Sequence, residues 1–308
     1  MANPSLSIII PTHHRPDILK ICLAHLAAQT IAKDIEVIVV HDGEDDAETQ
    51  KIIHEAKSYH LKAIRYFSIP KSQQGIARNE GVTHAKSPIV LFIGDDIFLM
   101  PDACEVHVRM HQNYELRSSN LGDPENQNSK FKIQNSHPIA VLGFTTWDPQ
   151  LDLTPVMQWL EKTGWQFGYP MIERFKHAFI PRDTQERFTY TSNISVPLTI
   201  AKQFPFRADA TLYGWEDILW GKQLKEANIP LFYEPDAKAL HHHRITMDDS
   251  LKRMETLGRS LVQLTKIDPD LGRMPTGIKM IAYRLIALTP TMRGAHYRAF
   301  LRGIQSAR

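Results

Sequence analysis

The sequence predicts an α/β fold: an open, mostly parallel sheet with helices on both faces, followed by a helical C-terminal extension. Three observations carry this. Short β-branched runs alternate with amphipathic stretches through the first hundred residues, and each run ends in polar residues, as buried parallel strands do. From residue 248 onward the pattern is mostly helical, broken by Pro and Gly near 274–277. The 308 residues, 43% hydrophobic and 23% charged, suffice for one large core or two modest ones and exclude disorder, collagen and coiled coil.

Residues 6–10 and 35–40 are the first two predicted strands. Between them, residues 18–30 place Ile18, Ile21, Cys22, Leu26 and Gln29 at helical spacing. A helix fits 45–59, a strand 64–67, a helix 74–85 and a strand 88–93. Strand–helix–strand repetition specifies parallel pairing. In such sheets ligands bind beyond the carboxyl ends of the strands, where the polar clusters after Ile10, Val40 and Ile93 fall. Beyond Met110 the pattern weakens. Residues 117–138 read as a mobile surface loop, 156–165 as a short helix and 188–196 as a strand. A helix follows at 216–227 and a strand at 231–234. This divides the chain into a first half carrying the strand–helix alternation (1–110), a second half of the same domain (111–247) and a basic helical extension (248–308).

Thirty-six Lys and Arg against 34 Asp and Glu give a net charge of +2, which argues against a nucleic-acid partner. Two cysteines, Cys22 and Cys104, are too few for a disulfide scaffold and suit a reducing compartment. The amino terminus lacks a basic region before its apolar run, and no stretch approaches the roughly 18–20 apolar residues of a membrane span. The expectation is a cytoplasmic chain. Its charge is uneven: 271–308 hold seven basic residues and no acid, against 29 basic and 34 acidic before them. There Ile278, Ile281, Leu285 and Leu288 share one helical face, which suits either an anionic membrane surface or packing on the body.

Several side chains suit chemistry. Asp95 and Asp96 follow an apolar strand, and adjacent carboxylates need a compensating charge, which Mg²⁺ or Mn²⁺ supplies. A solvated turn is the other reading. In His241-His242-His243-Arg244, alternation along an extended chain points His241 and His243 the same way, so one or two of the three suit a site begun by Asp96; a surface turn is the alternative. Trp215-Glu216-Asp217 precedes a helix, where acids suit the dipole, or where a general base stands beside a flat sugar-packing ring. Asp42 ends the second strand, suited to a base N–H or to a turn. Arg78, on a helix after Gly75, suits a phosphate, a base or solvent.

Taken in order, these segments resemble a family-2 glycosyltransferase of the GT-A fold. Ile8-Ile9-Ile10-Pro11-Thr12-His13-His14-Arg15-Pro16 resembles the family's first strand and turn, and Glu36 through Gly43 its second strand with an acidic end. Gly75-Ile76-Ala77-Arg78-Asn79 is similar to its Gly-x-Ala-Arg-Asn segment, and Val90 through Asp96 to the strand with the Asp-x-Asp signature. Gly214-Trp215-Glu216-Asp217 is similar to the Trp-Gly-Gly-Glu-Asp block of galactosyl- and N-acetylgalactosaminyltransferases, and 190–195 to the Asn-x-Ser strand before it. The resemblance implies that Asp42 binds uracil, with Pro11, Thr12, Arg15 and Arg78 lining the nucleotide site. It implies Asp96 and His241 or His243 as ligands of Mn²⁺ or Mg²⁺, with Asp95 on the sugar or ribose. Asp217 is then the base, Glu216 positions a sugar, and Trp215 and Asn193 stand on the acceptor side. The implied reaction is inverting transfer of a hexose or N-acetylhexosamine from a UDP-linked donor to a hydroxyl of a glycan, lipid-linked or other acceptor. Gly94 stands in place of the signature's first Asp, His41 in place of an Asp, and one Gly precedes Trp215. Two rival readings remain: a sugar nucleotidyltransferase, although 12–16 are not its glycine-rich basic loop, and a catalytically silent glycan-binding relative.

Overall fold

Two strands buried along their whole length, β1 (Leu6–Thr12) and β2 (Ile35–Asp42), organise the molecule. The computed structural model describes residues 4–307 apart from 60, 62, 120–137 and 210–213. In chain order the remaining elements of the first half are α1 (Pro16–Ala27), α2 (Ala47–Tyr59), β3 (Ile64–Ile69), α3 (Gln74–His84), β4 (Ile89–Phe92), β5 (Ile97–Leu99) and α4 (Ala103–Ser119). The second half contains β6 (Ala140–Trp147), α5 (Pro155–Thr163), α6 (Tyr169–Ile172), β7 (Ala178–Phe179), β8 (Ile194–Pro197), α7 (Leu198–Gln203), α8 (Glu216–Glu226) and β9 (Leu231–His241). Three helices close the chain: α9 (Met247–Ile267), α10 (Gly277–Ala287) and α11 (Met292–Ser306). The loop expected over 117–138 lies outside the described residues except at its ends.

One sheet runs β3-β2-β1-β4-β8-β6-β9-β5, with β7 also on β9. Its first four strands are parallel, Leu6 lying opposite Ile35 and Ile89, as the strand–helix alternation predicts. Antiparallel pairing enters with β8, which separates β4 from β6. Strand β9 then runs parallel to β6 and antiparallel to β5 and β7. Helices cover both faces. Leu19, Cys22, Leu23 and Leu26 of α1 pack with Cys104 and Val108 of α4 against one face. Ala77 of α3, Ile200 of α7 and Trp220 of α8 cover the other. The buried side of α1 is thus offset from the predicted one, and Ile21 points outward. Cys22 and Cys104 are free and buried.

The predicted strand over 188–196 contracts to β8. Residues 188–193 form turns whose aromatic and Thr content reflects burial rather than pairing. Strand β6, unmarked by any strong alternation, needs Gly143, since a Cβ there would sit 2.2 Å from Asn193 Nδ2 and 2.3 Å from the Ala237 carbonyl. The ladder with β9 shifts register at that point. In the extension, Thr246 caps α9 in a reciprocal capping box with Asp249. Leu261 and Leu264 of α9 join Phe300 and Ile304 of α11 and Leu219 of α8 in a separate apolar cluster.

Candidate active site

The parallel register brings the carboxyl ends of β1, β2 and β4 to one edge, with Thr12 opposite His41. The chain leaves β4 through Gly94-Asp95-Asp96 and turns straight into β5, which pairs Ile97 with His241. The His242 N–H donates to the Asp96 carbonyl at 2.8 Å, so the acidic turn and the histidine run are locked side by side. A cleft of about 740 Å³ opens over this edge.

Arg15 neutralises the two carboxylates directly. Its guanidinium donates to Asp95 Oδ1 and, at 2.9 Å, to Asp96 Oδ2, while Thr12 Oγ1 donates to Asp95 Oδ2 at 2.7 Å. Burial and the neighbouring Asp96 push Asp95 up to about 6, against the pull of Arg15. Burial alone would raise Asp96 as well. Hydrogen bonds from His241 and His243 and the charge of Arg15 outweigh it and hold Asp96 well below the usual carboxylate range.

His241 Nε2 lies 3.6 Å and His243 Nδ1 3.3 Å from Asp96 Oδ2. His242 turns the other way, its Nδ1 2.6 Å from Asp148 Oδ2 and its ring stacked on Phe98. One ligand atom each from Asp96, His241 and His243 lies within 4.8 Å of the others. A carboxylate oxygen with imidazole nitrogens is a donor set that Mn²⁺ accepts, and these residues fit such an ion. The His241 ring is held in place by stacking on Trp147.

At the nucleotide end, Pro11, Thr12, Asp42 and Arg78 line the cleft. Asp42 Oδ1 accepts from the backbone N–H groups of Ser72 (2.6 Å) and Gln73 (3.2 Å), and Oδ2 lies 3.3 Å from Lys71 Nζ. It therefore fastens the β3–α3 connection as well as facing the cleft. The Arg78 guanidinium lies over the Phe206 ring. His13, His14 and His41 form a second imidazole group there, with donor atoms within 4.8 Å, a feature the sequence motifs did not mark.

On the opposite wall, Asp217 accepts from Thr191 Oγ1 (2.7 Å) and the Thr191 N–H (3.2 Å). Burial, then the charge of Glu216, raises its carboxyl to about 6, partly opposed by Arg78. The Trp215 ring edges the cleft with its N–H donated to Ser260 Oγ at 3.0 Å. Glu216 is engaged elsewhere: its carboxylate accepts from Gln74 Nε2 and, at 2.8 Å, from the Gly214 N–H. Asn193 is fully buried: Nδ2 donates to the Ala237 carbonyl at 2.7 Å and Oδ1 meets His107 Nε2 at 2.9 Å, so these polar atoms are engaged within the core. Sequence reasoning missed Trp165 and, on α9, Arg253 and Leu257, which complete the wall. No motif marks them, whereas Thr191 lies inside a recognised segment.

This sheet, with its acidic turn and cleft at the strand ends, defines a GT-A-type α/β domain. Residues 7–142 match the family model described as glycosyl transferase family 2. It is 25% identical over 244 residues to a validoxylamine A glucosyltransferase of Streptomyces hygroscopicus subsp. jinggangensis, covering 74% of this chain and 53% of that protein. It is 28% identical over 153 residues to a poly(ribitol-phosphate) beta-glucosyltransferase of Bacillus spizizenii, covering 48% of this chain and 22% of that protein. The chain thus spans only part of these relatives' own lengths. In structure it is similar to the mannosyltransferase PcManGT from Pyrobaculum calidifontis in complex with GDP-Man and Mn²⁺ (TM-score 0.60, 13% identity, 100% of this chain and 88% of that one). It is also similar to S. aureus TarS 1-349 in complex with UDP-GlcNAc (TM-score 0.53, 14% identity, 99% and 82%).

Proposed function

We propose that the protein is an inverting glycosyltransferase that moves a hexose or N-acetylhexosamine from a nucleotide diphosphate sugar to an acceptor hydroxyl. The observation that carries this is one cleft lined both by Asp96, His241 and His243 and by Asp217, whose carboxyl is raised to about 6. Residues 1–110 hold the nucleotide through Pro11, Thr12, Asp42 and Arg78, and 111–247 present the acceptor beside Trp215. Asp96, with His241 and His243, holds Mn²⁺ or Mg²⁺, which when bound supplies positive charge to the diphosphate oxygens. The Asp217 carboxylate takes the acceptor's hydroxyl proton as that oxygen attacks the anomeric carbon. The bond from carbon to diphosphate oxygen breaks, and its electron pair leaves with the nucleoside diphosphate. One displacement with one base inverts the anomeric centre. Glu216 acts as a positioning residue, since it braces Gln74 and Gly214 on the cleft wall.

UDP is the proposed nucleotide because a structural neighbour was solved with UDP-GlcNAc, and GDP-mannose is the natural control because another was solved with GDP-Man. Among the described residues no helix is long and apolar enough to cross a membrane. We place the protein in the cytoplasm, with peripheral contact to the inner membrane face through 271–308. The acceptor is a glycan or lipid-linked hydroxyl. The test is a thermal-shift panel of UDP- and GDP-sugars with and without Mn²⁺, followed by donor hydrolysis. Stabilisation by a UDP-sugar that requires Mn²⁺, with slow release of UDP, is expected. Absence of both with every donor would leave a silent relative.

A further inference from the structure

Among the described residues, six large apolar side chains are exposed, and four of them lie on one face of α10 and its C-terminal cap: Ile278 (86% exposed), Leu288 (81%), Leu285 (61%) and Ile281 (57%). Their spacing of three, four and three residues stacks them into a single stripe along the helix. Arg284 borders the stripe on one side; on the other, Lys279 is exposed with its Nζ over the Tyr283 ring at 5.9 Å, and neither they nor the exposed Arg293 beyond form an ion pair among the described residues. Within 271–308 there is no acidic residue to repel an anionic surface. The inner side of α10 is fixed: Tyr283 packs edge-on against Tyr297 of α11, and Arg298 donates to the carbonyls of Ala287 and Thr289. A rigid helix with a bare apolar stripe between cationic borders has the form of an interfacial membrane helix, in which apolar burial and charge attraction add.

The helix is also tied to the cleft. Tyr297 meets Trp165 at 5.5 Å, and Trp165 lines the acceptor wall. We propose that α10 lies in the surface of an anionic lipid bilayer through Ile278, Ile281, Leu285 and Leu288, and that the acceptor is a lipid-linked glycan whose polar head enters past Trp165. The acceptor half of this statement rests on the transferase reading; the docking half does not.

Flotation of the full chain with phosphatidylcholine vesicles, with and without phosphatidylglycerol, tests docking. The chain is expected to float with the anionic vesicles, several-fold less with neutral ones or at high salt, and Ile281→Glu/Leu285→Glu is expected to abolish flotation. Lys279→Glu/Arg284→Glu should remove the preference for phosphatidylglycerol. No flotation with anionic vesicles, or flotation of the Ile281→Glu/Leu285→Glu chain equal to wild type, overturns the proposal. So does a concentration-dependent dimer abolished by that double substitution without flotation, which would give the face to a second copy. For the acceptor, transfer to a vesicle-bound lipid-linked glycan is compared with transfer to its short-chain, water-soluble analogue. The double substitution should lower the first by about tenfold or more and leave the second and the UDP–Mn²⁺ thermal shift unchanged. Equal loss on both acceptors overturns the lipid-linked class. Flotation without any transfer or donor hydrolysis overturns the transferase reading and leaves docking standing.

Discussion

Asp217 has two hydrogen bonds from Thr191 that hold its carboxylate in one orientation, and a raised proton affinity that suits it to take a proton near neutrality. Because its carboxyl is raised to about 6, it must lose its proton to act, so kcat/KM should climb as pH rises through about 6 and level off above it. A limb near the ordinary carboxylate value instead would remove Asp217 from the role. Asp217→Asn should cut transfer by about 10²–10⁴-fold while leaving the UDP–Mn²⁺ thermal shift intact. Asp96→Ala should lose transfer along with the metal and make UDP binding indifferent to Mn²⁺, which calorimetry with and without the metal reads directly. The sequence could single out these candidates because each sits in a short motif at a strand or helix end. Glu216 belongs to the same motif as Asp217, yet a helix turns adjacent side chains apart, and its carboxylate ends on Gln74. Asn193, expected on the acceptor side, makes its hydrogen bonds to Ala237 and His107, which are far away in sequence and which no local motif marks.

At the level of elements, α4 and α9 show how the frame supports the cleft. His107 and His111 of α4 both meet Ser195 Oγ of β8, at 2.8 and 2.9 Å, within the core. Burial lowers them to about 4 and about 3, so both stay neutral in the folded protein. Their stabilising effect is present above the unfolded value of 6.5 and is lost as pH falls toward about 4, by up to roughly 1.4 kcal/mol per pH unit for each. Asp95 and Asp217, both raised, contribute in the opposite sense over part of that range. The expected signature is therefore a difference: the urea midpoint of the His107→Gln/His111→Gln chain, taken relative to wild type at each pH, should rise as pH falls below about 6. Helix α9 meets α11 through reciprocal glycines. A Cβ on Gly258 would lie 2.1 Å from the Phe300 carbonyl, and one on Gly303 2.0 Å from that of Glu255. Backbone cannot retreat as a side-chain end can, so Gly258→Ala should cost about 1–3 kcal/mol, a drop of several degrees in Tm, and should weaken donor binding by displacing Arg253 and Leu257. Strands β1, β2 and β4 were legible because both of their faces are covered and β-branched apolar residues dominate their runs. Strands β5 and β6 were not: the first has three residues, and the second takes its form from a bulge and from neighbours far away in sequence.

Across the whole molecule, the body and the C-terminal extension differ in charge. The first 270 residues carry 29 basic and 34 acidic side chains, and the last 38 carry seven basic and none acidic. Yet α9, the first helix of the extension, supplies Asp249, Arg253 and Leu257 to the cleft, anchors the Trp215 N–H through Ser260, and covers Leu219 of α8. Trp215 thus gets its orientation from the extension, and through it so does the helix start that presents Asp217. The sequence shows the extension's charge and helicity but not this, because nothing in a helical pattern names the surface it packs on. The consequence is testable by truncation. A chain ending at residue 270 keeps α9 but loses α10 and α11, and with them Phe300 and Ile304 from the cluster that holds α9. It should melt lower than the full chain but retain a UDP–Mn²⁺ thermal shift. A chain ending at 246 loses α9 as well; it should expose Leu219 and Trp215 and show no such shift even if it stays in solution. If UDP and Mn²⁺ stabilised that shorter chain as much as the full one, the cleft would be complete without α9, and the extension would be an appendage after all.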